Sequence, residues 1–105
     1  MDQELPRFLQ KVIQRYPDVW RNYESLGKGI AAIGALDSKT QHLVKLSIAI
    51  GAGREGAVHS HTKRCIKAGI SNEQLFQTAM LAVTTIGWSG AMAALSWIND
   101  IVDDL

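Results

Sequence analysis

Residues 53–69, GREGAVHSHTKRCIKAG, hold most of the side chains that could do chemistry. Arg54, Glu55, His59, His61 and the only cysteine, Cys65, fall within a few helical turns. His61 and Cys65 are four apart and share a helix face, as do Glu55 and His59. Arg54, Ala57 and His61 also follow one another at helical spacing. A histidine titrates near neutral pH and can pass a proton. An arginine holds a carboxylate through two parallel hydrogen bonds. A carboxylate beside a histidine fixes its tautomer. Such a set suits proton transfer on a small organic acid. The structural alternative is a solvated His59 and a Glu55 that serves the positive end of a helix.

Two other chemistries use the same residues. His61 and Cys65, with His59 or His42, could supply three metal ligands. No paired CxxC or other regular zinc spacing is present, so no metal is expected. His61 could instead activate Cys65 as a nucleophilic or peroxidatic thiol. Against that, a lone cysteine is often a small buried hydrophobe and has no resolving partner here. Trp88, Met92 and Trp97 could line a pocket, or be ordinary core and interface residues. The run GWSGAMAAL favours close helix approach.

The elements that position these groups read as helices throughout. Leu5, Phe8, Leu9, Val12 and Ile13 repeat at helical spacing. Pro17 interrupts that helix, and Asp18 is placed to cap a second. Asp37 reads as the N-cap of a third helix running to about Ala52. That helix is apolar nearly all round near its end, which predicts a central, buried position. Glu55 to Ala68 forms a fourth, closed by Gly69 at the C′ position. Ser71 and Gln74 make a capping-box pattern that opens a fifth. Residues 87–90 break the chain before a sixth, which ends in Asp103 and Asp104, where like-signed ends favour fraying. If the third and fourth helices run antiparallel, His42 lies level with the far half of the fourth. The reading is an all-α, six-helix single domain over residues 1–105.

Composition narrows the partners. The chain has 105 residues, 47% of them apolar, and a net charge of +1 from 11 basic and 10 acidic side chains. That balance argues against nucleic acid or an anionic membrane as partner. No apolar run reaches the ~18 residues of a membrane span, and the N-terminus has no signal core. One cysteine fits a reduced, cytoplasmic setting. The apolar excess in so short a chain suggests subunit contacts.

Order, spacing and caps together resemble the carboxymuconolactone decarboxylase family, which includes the alkylhydroperoxidase D-like proteins. The likeness covers roughly Leu36 to Ala94. LDSKTQHLVKLSIAIG is similar to the family's LDxKTxxLxxLAxA helix, and HTKRCIKAGISNEQLFQTAMLA to its HxxxAxxxGxxxEEIxEA segment. The peroxidase branch carries a CxxC pair whose positions here are Arg54 and Ala57, and a glutamate whose position is His42. A two-thiol cycle needs both sulfurs, so that branch's activity does not carry over. GREGAVHSHTKRC is similar to the GRExxxxxHxxxC pattern of the decarboxylase branch, matched by Arg54, Glu55, His61 and Cys65.

The resemblance implies cofactor-free decarboxylation of a carboxylated unsaturated lactone or a related small acid. Arg54 would hold a carboxylate or the lactone oxygen, with His42 and Trp88 as further binding candidates. His61 would give or relay the proton, and Glu55 would tune it. Placing His61 in this role rests on the resemblance and not on spacing. The family's habit of assembly implies a homotrimer or homohexamer. The alternatives are an alkylhydroperoxidase D-like peroxidase or antioxidant protein using Cys65 alone, and a non-catalytic oligomeric binding protein.

Overall fold

The computed structural model describes residues 5–105. The described residues are helical, with no strand among them. They form six helices of nine residues or more, and one four-residue helical turn. The chain divides into two compact units, between Ala35 and Leu36.

The first unit holds α1 (Arg7–Arg15) and α2 (Pro17–Ala31). Pro17 occupies the first helical position of α2, where its missing N–H costs nothing. Asp18 is not the cap expected of it. The cap residue is Tyr16, and Asp18 lies inside the first turn, paired with Arg21. Neither helix has a buried residue.

The second unit holds α3 (Ser38–Gly51), α4 (Glu55–Lys67), α5 (Asn72–Leu81), the turn α6 (Val83–Ile86) and α7 (Trp88–Val102). Its helix ends follow the local chemistry read from the sequence. Asp37 Oδ1 accepts the Thr40 N–H at 2.7 Å, and hydrogen bonding from the Thr40 side chain, with this backbone bond second, holds the Asp37 carboxyl below its usual range. Gly69 takes a φ of +87°, a conformation that a Cβ would strain. This allows Ile70 N–H to reach Cys65 O and Gly69 N–H to reach Ile66 O, each at 3.0 Å, closing α4 in a Schellman motif. The Ser71–Gln74 capping box is present in both directions. The acidic tail is tied down where fraying was expected. Asn99 Oδ1 accepts the N–H groups of Asp104 and Leu105, and Asn72 donates to Asp104.

The core gathers Leu46 and Ile50 of α3, Val58 of α4, Leu75 of α5, and Ala94 and Ile98 of α7. The predicted centrality of α3 is only half right. Leu46, Ala49 and Ile50 are buried, whereas Ile48 is 65% exposed and Val44 is open as well. The helix that packs against α3, α4, α5 and α6 is α7. Its small residues Ala91 and Ala94, both fully buried, let neighbours approach closely on several sides. No helix among the described residues is long and apolar enough to cross a membrane.

Candidate active site

The C-terminal half of α3 and the N-terminal half of α4 pack together, joined by the turn at residues 52–54. Arg54 is the N-cap residue of α4, in extended conformation, and its side chain makes no capping bond. Its backbone N–H donates to Ala49 O at 3.2 Å, which pins the turn to α3. The guanidinium is thereby left for other work.

An open depression of about 420 Å³ lies here, lined by Lys45, Ile48, Ala49, Ala52, Arg54, Ala57 and His61. The α3 residues recur at intervals of three, one and three, so one face of that helix forms one wall. Arg54, Ala57 and His61 repeat along α4 in the same way and form the other. The wall is apolar, two cations and an imidazole stand on it, and no carboxylate lines it. That combination suits an anion with an apolar body.

His61 is partly buried, and its Nδ1 is enclosed without a hydrogen-bond partner. Burial lowers its pKa, and the nearby charges of Arg64, Lys45 and His42 lower it further. His42 behaves alike: burial first, then Lys45 and Arg64, hold its pKa down, and its Nδ1 is also enclosed and unpaired. His42 of α3 is thus one of the groups whose charge acts on His61 of α4. His42 does not line the depression. Its carbonyl oxygen faces Cys65, whose Sγ donates to it at 3.5 Å.

Cys65 is fully buried, and burial pushes its thiol up to about 11. At neutral pH it is a protonated core residue, which works against its role as redox candidate. Glu55 is not beside His61. Its carboxylate gathers with His59 and Asp100, their ligand atoms lying within 4.8 Å of one another. His59 Nε2 is 2.9 Å from Asp100 Oδ2, so His59 is not simply solvated. Glu55 and His61 are six positions apart, which sets them on different sides of the helix. Trp88 opens α7, is 64% exposed and does not reach the depression. The alternative ligand set of His61, Cys65 and His59 or His42 is not assembled: among the described residues the one metal-type cluster is Glu55, His59 and Asp100.

Lys45, Ile48, Ala49 and Ala52 were missed by the sequence reading. The available signal was Lys45 itself, a lone charge in the apolar run LVKLSIAI, three residues after His42. A second cavity of about 420 Å³, between α3, α5 and α6, has no titratable lining residue and offers no acid–base chemistry.

The family model of the carboxymuconolactone decarboxylase family matches residues 17–100, and the chain belongs to that family. The match begins at the first residue of α2 and runs well into α7, further toward the N-terminus than the likeness seen in the motifs. No curated protein and no solved structure gives a match.

Proposed function

We propose that this chain is a carboxymuconolactone decarboxylase-like enzyme. It would act on a small carboxylated lactone or related acid by proton transfer, without a cofactor. The observation that carries this reading is the depression between α3 and α4, where Lys45, Arg54 and His61 face an apolar wall with no carboxylate.

The chemistry follows from those groups. Arg54 and Lys45 attract the acid and neutralise a carboxylate or the lactone oxygen. When the C–C bond to the carboxylate breaks, CO₂ leaves and its bonding pair moves into the conjugated lactone carbonyl. The substrate's own carbonyl is the electron sink. The carbanionic carbon then takes a proton from His61, which regains one from solvent. In the free protein the lowered pKa leaves His61 largely neutral at pH 7. A bound carboxylate favours the imidazolium, so binding itself loads the donor.

Glu55 has no part in this version, because it faces His59 and Asp100. Cys65 contributes packing. The peroxidase alternative finds little support in a buried, protonated thiol. A lone reduced cysteine agrees with a cytoplasmic setting. The family match crosses the division between the two units, which supports reading residues 1–105 as one functional domain. The exposed Val44, Leu81 and Ile86 leave apolar surface for the subunit contacts that the homotrimer or homohexamer implied by the family resemblance would need.

The test is the ultraviolet decay of 4-carboxymuconolactone with the purified protein and with His61→Ala. Loss of substrate with wild type alone supports both the reaction and the donor. No loss with either removes this substrate and favours another small acid or a non-catalytic binding role. Equal loss with both removes His61 as the donor.

A further inference from the structure

A second cluster of chemically active side chains lies outside the depression and shares no residue with it. Glu55 is in the first turn of α4, His59 one turn later, and Asp100 near the end of α7. One ligand atom from each lies within 4.8 Å of the other two. His59 Nε2 and Asp100 Oδ2 are 2.9 Å apart. Around a metal with bonds of ~2.0–2.2 Å, neighbouring ligand atoms are roughly 3–3.5 Å apart. The histidine–aspartate edge already has nearly that length, and Glu55, exposed at the helix start, has the freedom to close the triangle.

Charge points the same way. Glu55 and Asp100 bring two carboxylates to one imidazole. No lysine or arginine among the described residues forms an ion pair with either of them. A divalent cation would bring the two carboxylates to net neutrality. One imidazole nitrogen with two carboxylate oxygens suits a first-row transition ion better than Mg²⁺ or Ca²⁺, which prefer all-oxygen sets.

We propose that Glu55, His59 and Asp100 form a binding site for a divalent transition metal of the Zn²⁺ or Co²⁺ type. His59 supplies Nε2 as its Nδ1–H tautomer, giving up its bond to Asp100. Glu55 and Asp100 supply one oxygen each. Water completes the coordination, and the ion ties the start of α4 to the end of α7. His59 and Asp100 are 41 positions apart in sequence, so the site exists only when those helices are packed.

Co²⁺ titration of the tag-free full chain, followed by visible absorption and calorimetry, tests this. One Co²⁺ per chain is expected, displaced by Zn²⁺. His59→Gln and Asp100→Asn should each weaken binding by more than about tenfold, since even outer-shell changes cost ~10–100-fold. His61→Gln should leave it unchanged. Zn²⁺ should raise the melting temperature of wild type and not of the two ligand variants. Circular dichroism without metal checks that the variants fold; if one does not, Glu55→Gln takes its place. Absence of saturable Co²⁺ binding overturns the site, and so does binding that survives His59→Gln.

Discussion

Cys65 Sγ donates to the carbonyl oxygen of His42 at 3.5 Å, so the lone thiol is bonded to the backbone of α3. It is also fully buried, with its pKa raised to about 11. The folded protein should therefore react with a thiol reagent at a rate set by unfolding. Cys65→Ala should cost about 1–3 kcal/mol of stability and leave turnover nearly intact. Reagent kinetics in native and denaturing buffer, with a urea melt of the variant, check both. Fast native labelling would contradict this.

Lys45 and Arg54 should govern affinity for acids. Charge-assisted hydrogen bonds are worth about 1.5–3 kcal/mol, so Lys45→Met or Arg54→Met should weaken binding of a small carboxylate by roughly 10- to 100-fold. Calorimetry at low and high salt measures it. The loss should shrink at high salt, because both cations are exposed.

Stability should depend on pH through two imidazoles. His42 and His61 both have pKa values lowered in the folded state from an ordinary 6.5. As pH falls below 6.5, the unfolded chain takes up protons before the folded one does. Their contribution is thus complete above that pH and is lost as pH falls toward the folded values. Melts from pH 7.5 to 5 should show declining stability, with a shallower slope in a His42→Gln, His61→Gln double variant. A parallel slope would contradict the assignment.

Acid binding at pH 7 should take up a proton, because a bound carboxylate raises the His61 pKa. Calorimetry in two buffers of different ionisation enthalpy reads the uptake directly. His61→Gln should abolish it; uptake unchanged in that variant would place the proton elsewhere.

Two glycines should respond to alanine with opposite signs. Gly87, between α6 and α7, has φ +97° and ψ 167°, although nothing lies within 4 Å of an added Cβ. Its cost is backbone strain alone, and Gly87→Ala should destabilise by about 1–3 kcal/mol. Gly27 lies inside α2 with equally open space and no such φ. Gly27→Ala should stabilise by about 0.5–1 kcal/mol. Chemical denaturation of both variants settles the pair.

Local signals in the sequence were the most legible. Asp37, Gly69, Ser71 and Gln74 work through hydrogen bonds that span three to five residues, so their roles can be read without the fold. The placement of Arg54 and His61 on one wall likewise follows from spacing within a single helix. What spacing could not supply was the neighbour. Spacing paired Glu55 with His59, and the resemblance gave Glu55 a role in tuning His61; Asp100 of α7, which spacing within α4 cannot reveal, completes the Glu55–His59 set instead. Lys45 was passed over because its relation to Arg54 crosses a turn. The apolar run of α3 suggested burial all round, whereas burial was decided by how many helices surround it, and α7 has more neighbours.

Three of the seven residues that line the depression are alanines. Ala52 and Ala57 contribute one methyl each, at the edge of α3 and the start of α4. Ala52 is exposed, so a larger side chain there meets solvent before it meets packing, whereas Ala57 is partly buried against the core. Under the proposed function, substitution at Ala52 adjusts the space for the acid one carbon at a time, with His61 and both cations unaltered. Such a scaffold could diverge toward new substrates through single substitutions, long before its chemistry had to change.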